Sequence, residues 1–256
     1  DLEAFGFKTF IPSFGTKGEK QLTVAEANSS RLVTKVRWVV EGCHSRFKKW
    51  KFFDNTSQTC DLIFQKNCLR ITVAALNALR GPIFDPFLKR DHHLSIAELM
   101  FKKSRLTDNP LAKKVEKGPL SSHGKWNETE ISETKISFPI LSEEKMTQYI
   151  FCGSYQLKQA VHYANEHLNK DGKFSFFVHK LAQNLIRVRL QSRHKNLTKY
   201  FVWVQFSDHE IEAWYCQCKA GQRTVGCCAH VATIIWYLGF ARHRHYQPSN
   251  IHKFWK

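Results

Sequence analysis

The sequence predicts an α+β protein, helical first and then an antiparallel meander of four short strands. Three observations carry that expectation. In the first half, apolar residues recur near helical spacing, at Val33, Val36, Val40, Phe47 and Trp50. Later they come in short runs rich in Val, Ile and aromatics between turn-prone residues: KFSFFVHK, LIRVRLQSRH and KYFVWVQFS. A fourth run, EIEAWYCQC, delivers two cysteines directly into an apolar helix, HVATIIWYLGFA.

Asn28-Ser29-Ser30 offers N-caps for a helix from about Arg31 to about Trp50. The next helix, in CDLIFQKNCLRITVAALNALRGP, starts behind Asp61 and stops at Gly81-Pro82. A third runs through HLSIAELMFKKS. From Lys117 to about Ser137 the text turns polar, with Gly, Pro and Ser and no sustained period. This divides the chain into residues 1–116, a linker over 117–136, and a second domain over 137–256. LSEEKMTQYIFCGSYQLKQAVHYANEHL then reads as two helices broken near Gly153, with Ser142 and Glu144 at a helix start.

Composition narrows the function. At 256 residues and 43% hydrophobic content the chain can bury real cores. Its formal net charge of +17 is shared by both halves and favours polyanionic partners, nucleic acid first. No apolar run of about 18 residues suits a membrane span. The N-terminus has no basic-then-apolar signal pattern, which points to an intracellular protein. The opening at Asp1, running straight into apolar positions, reads as a piece of a longer protein.

Four of the eight cysteines, Cys43, Cys60, Cys68 and Cys152, show no ligand-like spacing and are expected as small buried hydrophobes. The other four fall between Cys216 and Cys228. In a strand, residues two apart share a face, so Cys216 and Cys218 address one ion while Gln217 looks away. Cys228 and His230 are also two apart, at the entry to the apolar helix, and KAGQRTVG folds them back toward the strand. The pattern C-x-C-x9-C-x-H supplies four soft donors, which suits tetrahedral structural Zn²⁺ with no open place for a reactive water. Cys227 remains an alternative to Cys228 as ligand. Disulfides and a cysteine nucleophile with His230 as base are weighed beside zinc, but bridges within a strand or between adjacent cysteines are strained. Three thiolates on one Zn²⁺ leave a charge of about −1, which Lys219 and Arg223 are placed to offset.

CQC followed by CAH, with a strand before and an apolar helix after, resembles a SWIM zinc finger over roughly residues 137–239. The resemblance implies a ββα zinc unit, and a partner that is DNA or protein. Arg187, Arg189, Arg193, Lys195 and Lys199 lie on or beside neighbouring expected strands, with Tyr200 and Trp203 interleaved. Phosphate-contacting cations beside stacking aromatics suit DNA or RNA, although alternation allows Trp203 a place in the core.

The N-terminal text carries a second resemblance. Arg37, Glu41, His44 and Lys48 share one helical face, and Glu41 is the only acid from Arg31 to Lys51. Taken alone, this is an exposed Arg37–Glu41 ion pair. GFKTFIPSF, then ANSSRLVTKVRWVVEGCHSRFKKWKFF, then ITVAALNALRGP resembles the C-terminal end of a PIF/Harbinger-like DDE transposase nuclease, over roughly residues 1–86. The resemblance implies the helical end of an RNase H-like domain, with Glu41 as the third metal-binding acid. Such a nuclease needs three carboxylates for two Mg²⁺ or Mn²⁺ ions, and the strands bearing the first two are not in this sequence.

The leading expectation is therefore a zinc-containing, DNA-binding remnant of a DDE transposase, inactive as a nuclease by itself and resident in the nucleus. One alternative is part of an active metal-dependent endonuclease whose other carboxylates lie upstream. Another is a SWIM module that binds protein.

Overall fold

The computed structural model describes residues 2–54, 56, 59–82, 90–118, 120, 126–129, 136–167, 176–179, 182, 184–192 and 198–244. In chain order the helices are α1 (Val24–Lys48), α2 (Lys51–Asp54), α3 (Leu62–Leu79), α4 (Arg90–Ser104), α5 (Pro110–Lys117), α6 (Glu143–Lys145), α7 (Tyr155–His167) and α8 (Ala229–Gly239). The strands are β1 (Trp126–Thr129), β2 (Phe176–His179), β3 (Leu185–Gln191), β4 (Lys199–Phe206) and β5 (Ile211–Cys216). The chain forms two compact units, Asp1–Pro12 with Arg31–Asp91, and Ser13–Ser30 with His92–Lys256.

The first unit is built on α1 beyond Ser30, α2 and α3, and no strand occurs among its described residues. Helices alone do not show an RNase H-like origin. Arg46 donates to the Gly81 carbonyl at 2.8 Å. Of the apolar residues whose spacing predicted the helix, Val33 and Phe47 are half-buried, while Val36, Val40 and Trp50 are exposed. Cys43 and Cys60 are likewise exposed and Cys68 half-buried; only Cys152 of the four scattered cysteines is buried.

Helix α1 begins seven residues earlier than the caps at Asn28–Ser30 suggested. The cap is Thr23. Its N–H donates to the Glu26 carboxylate at 2.9 Å and the Glu26 N–H returns a bond to Thr23 Oγ1 at 3.3 Å, a capping box. Asn28 is thereby freed from the capping role and faces the rest of its unit, 1% exposed.

In the second unit the five strands lie in the order β1-β2-β3-β4-β5, each antiparallel to its neighbour. The four expected strands are β2 to β5. Register sorts their side chains. Ile186 pairs with Val204 and Val188 with Val202, while Val202 pairs with Cys216 and Val204 with Trp214, so these residues share one face. That face buries Leu157, Val161 and Ala164 of α7 and Val231, Ile234, Ile235 and Leu238 of α8. The other face carries Leu185, Trp203 and Tyr215 and is covered by Leu111, Ala112 and Val115 of α5 with Trp126 of β1. Trp203 belongs to this core, stacked on Tyr215 at 5.4 Å.

The polar stretch expected as a linker therefore contains a strand, β1, and the unit it belongs to reaches back to His92 and to Ser13–Ser30. Helix α5 was not anticipated. Asn109 caps it, accepting from the Leu111 and Ala112 N–H groups at 3.1 Å each, with Pro110 at its first position. The Asn109 amide also donates to the Trp214 carbonyl at 2.9 Å, tying the cap to β5. Ser142 caps α6, as its position suggested. The break near Gly153 is present: Cys152 takes φ +53° and Gly153 φ +144°, left-handed values that interrupt the helical path between α6 and α7.

Candidate metal centre

Strand β5 ends at Cys216, whose side chain lies on the face turned toward α8. Two residues on, Cys218 falls on the same side, while Gln217 is exposed and accepts from the Phe201 N–H at 3.0 Å. The loop from Lys219 to Gly226 turns back, and α8 starts with Cys228 as its capping position and His230 in its first turn. Cys216, Cys218, Cys228 and His230 thus meet, with one donor atom from each inside a sphere of mutual distances below 4.8 Å. All four side chains are buried.

The turn is built around Gly221. Its N–H donates to the Cys218 carbonyl at 2.9 Å, and its own carbonyl accepts from the Cys216 N–H at 3.2 Å. The Cys218 N–H points at Cys216 Sγ, 3.4 Å away. This amide-to-sulfur contact stabilises a thiolate.

The donor set fits zinc. Around one Zn²⁺, bonds of about 2.3 Å to sulfur and about 2.0 Å to nitrogen put tetrahedral neighbours roughly 3.5–3.8 Å apart. Cys216 Sγ and His230 Nδ1 are 3.8 Å apart. The rings of Tyr163 and Tyr200 stand across the imidazole at 5.1 and 5.2 Å and hold its plane. His230 Nε2 is buried with no hydrogen-bonding partner among the described residues, so the imidazole's polar engagement is on the thiol side.

Electrostatics point the same way. Burial pushes the Cys216 thiol well above its usual range, and the neighbouring Cys218 and Cys228 raise it further. Cys218 is raised as well, whereas Cys228, despite its burial, is held well below its usual range by its bonds to Cys216, Cys218 and His230. Two thiols of the dry site thus resist ionisation until a cation supplies the opposing charge, and the third ionises readily. Four protein donors would complete the coordination of a zinc ion and leave no open place for a reactive water.

Cys227 is fully buried but stands outside this group, and burial raises its thiol despite the nearby Arg223 charge. All eight cysteines are free thiols. Lys219 donates its amine to the Phe14 carbonyl, and Arg223 contributes its carbonyl to Trp214 Nε1 at 3.1 Å.

Residues 200–239 match the SWIM zinc finger family. The matched SWIM segment covers β4, β5, the ligand loop and α8, which are the elements that carry all four donors. Comparison with curated proteins and with solved structures gives no match. Nothing in these comparisons shows a transposase nuclease, and the SWIM segment speaks only for the C-terminal part of the chain.

The other expected site residues are dispersed. Arg187 is 2% exposed and its guanidinium lies over the rings of Trp126, Phe177 and Phe201 at 4.7–4.8 Å. Alternation placed it on the face that α5 and the Trp126 side chain cover, so it does not reach a phosphate. Arg189 and Lys199 are exposed. Arg193 and Lys195 lie outside the described residues. Glu41 pairs with Arg37 at 3.0 Å, both more than half exposed. Among the described residues no carboxylate cluster gathers around it.

Sequence reasoning missed the residues that brace the loop: Gln21, Asn28, Asn109 and Glu116. Glu116 accepts from Tyr215 Oη at 2.8 Å, and burial followed by this bond pushes the phenol far above its usual range. Asn109 had a readable signal in Asn-Pro. Gln21 and Asn28 had none.

Proposed function

We propose that this chain is a zinc-stabilised, DNA-binding protein in which the Cys₃His shell holds the fold and exposed basic residues contact phosphates. The observation that carries the reading is the completeness of the shell: four buried donors leave the ion nothing to do but organise backbone, in a chain of net charge +17. Arg189 and Lys199, exposed on adjacent strands beside Phe201 and Tyr200, are the contacts this reading favours. Lys17, Lys20 and Lys219, exposed around the ligand loop, extend the positive surface. The sequence resemblance of residues 1–86 supports descent from a DDE transposase, with Glu41 a remnant of its third acid and no cutting by this chain alone. Nuclear residence follows from a DNA partner.

Salt tests it. Affinity for duplex DNA should fall linearly on a log–log plot, and Arg189→Ala and Lys199→Ala should each reduce the slope by about 1. Binding that does not change with salt would rule out phosphate contacts and favour a protein partner for the SWIM segment.

A further inference from the structure

The loop between the two ligand pairs is held from outside the SWIM segment, by residues near the start of the chain. Gln21 Nε2 donates to the Cys216 and Cys218 carbonyls at 2.6 and 2.7 Å. Its Oε1 accepts from Tyr215 Oη at 3.1 Å and Gln222 Nε2 at 3.0 Å. The Leu22 N–H donates to the Lys219 carbonyl at 2.9 Å. On the far side of the loop, Asn28 Oδ1 accepts from the Thr224 and Val225 N–H groups at 2.9 and 3.0 Å, and its Nδ2 donates to Thr224 Oγ1 at 2.9 Å. Gln21 fixes the end that carries Cys216 and Cys218. Asn28 fixes the end that leads to Cys228.

Five of these contacts are to the backbone that aims the ligands, and none is to a donor atom. A closed metal site needs its two ligand pairs at one spacing, and the loop's closure sets that spacing. Both amides are used on both their oxygen and nitrogen, which leaves little freedom in how the loop is held. The bracing segment carries its own capping box, in which Thr23 and Glu26 start α1 between the two amides.

We infer that Gln21 and Asn28 are positioning residues of the metal centre, so that the working zinc module begins at Ser13 and docking of residues 13–30 is thermodynamically linked to metal binding. The inference rests on the zinc reading. Linkage makes it reciprocal: whatever factor the docked segment adds to zinc affinity, zinc adds to docking.

The experiment uses the full chain, with zinc affinity read by chelator competition and ligand identity by the absorption of the Co²⁺-substituted protein. Gln21→Glu, which turns a donor facing two carbonyls into an acceptor, and Asn28→Ala should each weaken zinc binding by about 10- to 100-fold with the cobalt–thiolate bands in place. Asn28→Asp keeps the acceptor for Thr224 and Val225 and should recover to within about threefold of the parent. In the parent, zinc should slow hydrogen exchange at Leu22, Thr224 and Val225. Zinc bound by the parent but held equally well by Gln21→Glu and Asn28→Ala would overturn the inference while leaving the zinc reading intact. So would Asn28→Asp as weak as Asn28→Ala, or loss of the cobalt bands with the helical signal, which marks collapse rather than positioning. No zinc in the parent would overturn both.

Discussion

Gly221 sits directly against the carbonyl of Cys216: a Cβ built at Gly221 would lie 1.8 Å from that oxygen and 2.9 Å from the Cys216 Cβ. The contact is with backbone, which cannot swing aside. The loop closes on the first ligand only because this position has no side chain.

Gly221→Ala should therefore open the turn, with loss of zinc and at least about 3 kcal/mol of stability, the upper range for single substitutions. Thermal melting with metal analysis checks it. By contrast Gly81→Ala, where nothing lies within 4 Å of the added carbon, should leave both measurements unchanged.

The ligand pattern was legible because it is local. Two ligands two apart at a strand's end, Cys216 its last residue and Cys218 just beyond it, and two more two apart at a helix start, are specified by neighbours in sequence. The strands β2 to β5 were legible for the same reason, since alternation and β-branched content act over a few residues. What holds the loop was not legible, because Gln21 and Asn28 act on residues about 195 positions away. Arg187 shows the limit of reading charge as surface: alternation put Arg187 and Arg189 on one face, but only the covering by α5 and the rings of Trp126, Phe177 and Phe201 decides which of them reaches water. The start of α1 was misplaced although Thr23 and Glu26 spelled a capping box, since Asn28-Ser29-Ser30 offered a competing cap of the same chemistry.

The adjacent cysteines should separate cleanly. Cys228→Ser removes a donor and should release the metal, whereas Cys227→Ser should keep one zinc per chain and lose about 1–3 kcal/mol for burying a hydroxyl. Zinc retained by Cys228→Ser and lost from Cys227→Ser would reverse the assignment.

The ion pair on α1 is exposed on both sides. Glu41→Gln should shift stability by no more than about 0.5 kcal/mol, and neither the parent nor this variant is expected to nick DNA with Mg²⁺ or Mn²⁺ in a plasmid-relaxation assay. Metal-dependent nicking abolished by that substitution would instead make Glu41 a metal ligand.

Metal content tests the central claim most directly. Elemental analysis of the chain purified without chelator should find one zinc per molecule, released when the thiols are blocked under denaturing conditions. Protein that is folded and carries no zinc would contradict the Cys216, Cys218, Cys228 and His230 centre.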